Sequence, residues 1–141
     1  MPAPTLTLTL KNDLSELVRI AEAIEEHGEA HGWPTKWILN LNVSLDELIT
    51  NIVSYGYRDS GEHEIHVTVT DRSGSLVTVL EDDGIAFDPF TAAPEPDLDA
   101  SVEERRIGGL GVYFVKTLMD EATYERLDNG NRITLIQRAS E

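Results

Sequence analysis

Residues 64–82 read EIHVTVTDRSGSLVTVLED. Two segments, 64–71 and 75–82, alternate apolar and polar side chains, with only Arg72, Ser73 and Gly74 between them. Alternation with a period of two is the pattern of a half-buried strand, and so short a link predicts a hairpin. The chain repeats the pattern elsewhere. TLTLTL at 5–10 alternates strictly, and ATYERLD (122–128) meets NRITLIQR (131–138) across the turn Asn129-Gly130, which predicts a second hairpin.

Between these strands the period changes to that of a helix. After a cap at Asn12 or Asp13, Leu14, Leu17, Val18, Ala21 and Ile24 recur at helical spacing until about His27. A second helix is expected from Thr35 to about Tyr55, with Leu41, Leu45, Leu48, Ile49, Ile52 and Val53 on one stripe. A third is expected over 110–121. The predicted order is β-α-α-β-β-lid-α-β-β. It implies an α+β fold, a two-layer α/β sandwich with one mostly antiparallel sheet and helices on one face. The 141 residues suggest a single domain over 1–141, with no internal repeat.

Composition narrows the function classes. There are no cysteines, so disulfides, thiolate metal sites and cysteine nucleophiles are excluded. A formal net charge of −15 with no basic stripe argues against direct nucleic-acid binding. No apolar run is long enough to span a membrane, and the first residues lack a signal pattern, so the cytoplasm is the expected compartment. Such acidity is what a soluble surface shows, and it is also compatible with a basic protein partner.

Three places are able to carry chemistry. Glu47 and Asn51 are four residues apart on the second predicted helix, on a face turned away from its apolar stripe. A carboxylate and a carboxamide so placed can accept a proton and offer an oxygen to a hard cation such as Mg²⁺; the same pattern also belongs to the solvent face of any amphipathic helix. The second place is VLEDDGIAFDP (79–89). There a strand ends in acids and a glycine, so Asp82 can accept a hydrogen bond from an exocyclic amine and Gly84 can admit a flat ring, with Phe87 close by. A strand-ending Asp-Gly turn gives the same letters.

The third place is RRIGGLGVYF (105–114). Gly108, Gly109 and Gly111, with Leu110 among them, flank the first turn of a helix, whose unpaired N–H groups attract anions. Arg105 and Arg106 stand beside them. A plain flexible junction would read the same way. The cluster is neither a Walker loop nor a Rossmann fingerprint, because no Gly-Lys-Ser/Thr follows and no strand precedes. Ahead of it, DPFTAAPEPDLDASVEERR (88–106) has three prolines and little periodicity, and the segment from about 85 to 107 is expected to be a lid or binding loop. Taken in order, the three places can surround one nucleotide.

That ordered set resembles the Bergerat ATP-binding fold shared by gyrase, histidine kinases, mismatch-repair ATPases and a heat-shock chaperone. DELITN looks like the N box, DDGIAF like the first glycine box and GGLGVYFVKTLMDEATYER like the second. The size and phrasing look like the stand-alone anti-sigma factor serine/threonine kinases. The resemblance implies ATP and Mg²⁺ as cofactors and Glu47 as general base towards a substrate serine or threonine. It also implies Asn51 on Mg²⁺, Asp82 on the adenine amine and Gly84 beside the ring. Gly109, Gly111 and the N–H groups around Leu110 would meet the phosphates, with Arg105 and Arg106 near the γ-phosphate or the partner.

One departure is Tyr55, where many relatives carry a histidine. The resemblance implies a regulator, usually a homodimer, that holds a sigma factor and phosphorylates a small antagonist protein in a partner-switching circuit. The alternative is an ATP-gated module that sequesters a protein partner without significant kinase activity. A fragment of a larger ATPase or sensor kinase is a third reading, set aside because the chain begins and ends around one domain.

Overall fold

The structure, a computed structural model, describes residues 5–57, 61–72, 74–92 and 110–139. In chain order they form β1 (Thr5–Lys11), α1 (Glu16–Ala30), α2 (Thr35–Tyr55), β2 (Glu64–Asp71), β3 (Ser75–Asp82), the short α3 (Pro89–Ala92), α4 (Leu110–Leu118), β4 (Glu121–Leu127) and β5 (Gly130–Arg138). The strands make one five-stranded sheet in the order β1-β2-β3-β5-β4, antiparallel at every pairing. The expected α+β architecture is the observed one.

The period-two pattern decides which face is covered. Ile65, Val67 and Val69 of β2, Leu76 and Leu80 of β3, and Ile133 and Leu135 of β5 are buried on one side of the sheet. α2 lies among them through Trp37, Ile38, Leu41, Leu45, Leu48, Ile49 and Ile52, and α1 adds Ile20 and Ile24. α4 packs beside α2 and contributes Val115 and Met119 to the same core. The other face is mostly polar, with Val77, Val79 and Ile136 among its side chains, and there Arg132 bridges Glu81 and Glu125 at 3.0 and 3.1 Å.

Three boundaries differ from expectation. α1 begins at Glu16, two or three residues later than a cap at Asn12 or Asp13 suggested, because the Asp13 carboxylate accepts the Ser15 N–H (2.9 Å) in a turn of its own. α4 stops at Leu118 where the sequence suggested 121, because the Asp120 N–H turns to the Ile136 carbonyl (2.8 Å) and starts the β4 pairing. Within the expected lid, Pro89–Ala92 is helical. Asp88 caps it by accepting the Phe90 N–H (2.9 Å), and proline stands at the first helical position, where no N–H is needed.

Candidate nucleotide site

Strand β3 carries Asp82 into the site by simple alternation. Leu76, Thr78, Leu80 and Asp82 succeed one another on the covered face, so the last residue of the strand sets a carboxylate at the edge of the core. Only 8% of Asp82 is exposed. Its Oδ1 accepts the Gly84 N–H (2.8 Å) and the Nδ2 of Asn131 (3.0 Å). Burial pushes its pKa up, and these two hydrogen bonds pull partly back.

Gly84 is needed for a reason the sequence did not display. A Cβ there would lie 2.3 Å from the Gly56 carbonyl oxygen and 2.9 Å from Asp82 Oδ1. Gly56 caps the C-terminus of α2, and its carbonyl accepts the Ile85 N–H at 2.8 Å. The end of α2 and the loop after β3 are thus joined backbone to backbone.

Asn51 and Glu47 sit on α2 about 8 and 14 Å along the axis from that joint, at 1.5 Å per residue. The Asn51 carboxamide donates to Glu47 Oε1 (3.3 Å), and both side chains are half-buried. This corrects the expected orientation. The buried arc of α2 is wider than its leucine-isoleucine stripe, because it also takes in the fully buried Ser44. The pair therefore lies on the flank of the core, and the solvent face belongs to residues such as Leu39 and Val43. With Nδ2 engaged by Glu47, the Asn51 oxygen is the end of the amide that suits a hard cation. No group of three or more His, Asp or Glu among the described residues forms a metal cage, so a cation here would take most of its ligands from phosphate and water.

Tyr55, on the last turn of α2, stacks on Phe87 with ring centroids 6.2 Å apart, and more than half of Tyr55 is exposed. Phe87 therefore lies beside the helix that carries Glu47 and Asn51. Leu110 and Gly111 open α4, the helix packed beside α2. Arg105, Arg106, Gly108, Gly109 and lid positions 93–107 lie outside the described residues.

Sequence reasoning missed Asn131, Arg126 and Tyr124. Asn131 faces Asp82 directly across the β3–β5 pairing and is 3% exposed. Tyr124 and Arg126 both reach its side-chain oxygen from β4. The signal was available: Asn131, Ile133, Leu135 and Gln137 share one face, and a polar residue at the head of that row needs a buried partner. A separate cleft of about 630 Å³, lined by Lys11, Glu62, Glu64, His66 and Glu81 among others, touches this site only through Asp82 and Asp83. It opens towards the polar face of the sheet and includes neither Glu47 nor Asn51.

The profile of the histidine kinase-like ATPase domain matches residues 10–137. The chain belongs to that family. Among similar proteins, this histidine kinase-like domain is 29% identical over 108 residues to the serine/threonine-protein kinase BtrW of Bordetella bronchiseptica, covering 77% of this chain and 75% of that one. It is 30% identical over 120 residues to the serine-protein kinase RsbW of Listeria monocytogenes, covering 83% and 75%. The crystal structure of the RsbU and RsbW domains of Rv1364c from Mycobacterium tuberculosis superposes with a TM-score of 0.70 at 19% identity. That match covers 99% of this domain and 34% of the other chain, and it shows the shared fold. The resemblance seen in the sequence is thus matched by the family profile, by kinase relatives and by the fold. No described helix of this domain is long and apolar enough to cross a membrane.

Proposed function

We propose that this domain is an ATP-dependent serine/threonine protein kinase that acts as an anti-sigma regulator by phosphorylating a small antagonist protein. The observation that carries the reading is the half-buried, hydrogen-bonded Glu47–Asn51 pair, on the helix that is joined to the loop following Asp82. Asp82 would accept the adenine amine, with Gly84 and Phe87 beside the ring. Asn51 would offer its oxygen to Mg²⁺, and the N–H groups at the start of α4 would meet phosphate. Bound Mg²⁺ would neutralise phosphate charge. Glu47 would take the proton from the substrate hydroxyl, and positioning does the rest of the work in phosphoryl transfer. Arg105 and Arg106 are proposed for the γ-phosphate or the partner surface, and a homodimer is proposed from the family resemblance.

The direct test is incubation with γ-labelled ATP and the antagonist protein recovered from the native cell, followed by mapping of the labelled residue. Label on a serine or threonine supports the kinase. Nucleotide-dependent partner binding with no labelled product would instead support the ATP-gated binding module.

Two results are expected from binding measurements. Asp82→Asn should weaken ATP by about 1–3 kcal/mol in calorimetry, because a charge-assisted acceptor is lost and an N–H edge can turn towards the adenine amine. The same change should not lower the thermal midpoint at neutral pH. Asp82 has a folded pKa raised above its unfolded value, so its contribution favours the fold at low pH and is lost as pH rises through the folded pKa. The ionised form therefore opposes folding at neutral pH, and a neutral amide removes that opposition. Unchanged affinity would remove Asp82 from the adenine site. Secondly, Mg-ATP should slow hydrogen exchange over residues 85–111, and identical exchange with and without nucleotide would count against a closing lid.

A further inference from the structure

Asn131 stands where five hydrogen bonds cross. Its Nδ2 donates to Asp82 Oδ1 (3.0 Å) and to the Ile85 carbonyl (2.8 Å). Its Oδ1 accepts from the Tyr124 hydroxyl, the Phe87 N–H (3.4 Å) and the Arg126 guanidinium (3.4 Å). With acceptors on one edge and donors on the other, the amide has a single workable orientation, since turning it over would set donor against donor. Arg126 donates again from the same nitrogen to the Gly84 carbonyl (2.9 Å). Gly84, Ile85 and Phe87 are therefore all held by side chains of the β4–β5 hairpin. Irregular backbone at the edge of a core needs such partners, and here two side chains supply most of them.

We propose that Asn131 and Arg126 are positioning residues for nucleotide binding, fixing both the Asp82 carboxylate and residues 84–87 before a ligand arrives. The proposal rests on the reading of Asp82 as the purine contact. Among the described residues, both hydrogen bonds to Asp82 fall on Oδ1, so Oδ2 is the oxygen left to face a ligand. A loop already held in its binding geometry spares the ligand the cost of ordering it. The contact to an exocyclic amine needs Asp82 ionised. Burial works against that state, whereas Asn131, the Gly84 N–H and Arg126 favour it. The neighbouring charges are Asp83, which opposes ionisation and pairs with His63 at 3.2 Å, and Arg126 from β4. His63 is present in every variant below, so its contribution is common to all of them.

The test is calorimetric titration with Mg-ADP, which binds without turnover, between about pH 6 and 8 for the intact chain and three variants. The unmodified protein should bind most tightly and lose least affinity as pH falls. Asn131→Ala should bind about tenfold more weakly, as for one lost hydrogen bond to a charged group, and should weaken further as pH falls. Arg126→Gln should lose about three- to tenfold with a smaller pH slope, because it removes one bond to the Gly84 carbonyl and a cation near Asp82. The pH slope is the reading that a merely structural role would not produce.

If both variants bind within about twofold of the unmodified protein while Asp82→Asn is weakened, the positioning role is overturned and the purine contact stands. Uniform weakening of Asn131→Ala with no pH slope would overturn the claim that it acts through Asp82. If Asp82→Asn binds as well as the unmodified protein, the purine contact itself fails and the positioning role fails with it. Should Asn131→Ala not fold, Arg126→Gln decides the matter, since Arg126 is an exposed side chain.

Discussion

Glu47→Gln should abolish transfer of phosphate to protein while leaving ATP affinity unchanged. A positioned general base contributes roughly 100- to 10,000-fold to a rate, equivalent to about 3–5 kcal/mol of barrier. The change suits this structure because it removes basicity and leaves shape. Glu47 Oε1 accepts the Asn51 Nδ2 at 3.3 Å, and a glutamine oxygen in the same place can accept the same hydrogen bond. Asn51 should then keep its orientation, and with it the oxygen proposed for Mg²⁺. Asn51→Ala makes the contrast, since it should weaken nucleotide binding in magnesium and also release Glu47 from its partner. Single-turnover label transfer with saturating ATP separates the two. Transfer by Glu47→Gln at the unmodified rate would remove Glu47 as the base.

Gly84→Ala should be strongly damaging for a change of one methyl group. The new Cβ would stand 2.3 Å from the Gly56 carbonyl oxygen, and that neighbour is backbone at the cap of α2, unable to swing aside as a flexible side chain would. Relief requires the loop and the helix end to separate. Separation stretches the 2.8 Å bond from the Ile85 N–H to Gly56 and disturbs the Arg126 bond to the Gly84 carbonyl. Overpacking costs about 1–3 kcal/mol, and a weakened buried hydrogen bond adds about 1 kcal/mol. For a chain of 141 residues that loss corresponds to a fall in Tm on the order of 10 °C. Nucleotide affinity should fall as well, because Asp82 Oδ1 lies 2.9 Å from the same Cβ position. A thermal midpoint within a degree or two of the unmodified protein, at the order-of-magnitude resolution of that scale, would show that the joint can open freely.

The strands were the most legible part of the chain. β2 and β3 fall on residues 64–71 and 75–82 as their alternation predicts, because a face half-covered by helices enforces a period of two. Helix ends were harder, because they depend on competing local bonds such as the Asp13 turn and the Asp120 turn into β4. Within the site, Glu47, Asn51, Asp82 and Gly84 could be picked out by residue type and spacing. The tie between Glu47 and Asn51 is local and follows from their separation by one helical turn. Asn131 was harder to read for the opposite reason: the alternation of β5 marks it as a polar residue on the covered face but does not name its partner. It lies 49 residues from Asp82 in the chain, and its importance exists only once β5 pairs with β3. Gly84 was identified with an incomplete reason, since its closest neighbour is a carbonyl from another element rather than any ligand.

The direct pairing of Asp82 with Asn131 across neighbouring strands makes the site a gauge of strand alignment. Moving β5 by one residue against β3 would turn Asn131 to the polar face and bring Gly130 or Arg132 opposite the carboxylate. Such a slip has no intermediate setting, because side chains on a strand point to one face or the other. Misaligned chains would therefore lack the contact altogether rather than hold it loosely. A population containing some of them should show fewer nucleotide sites of undiminished affinity, so that errors in folding are read out as stoichiometry.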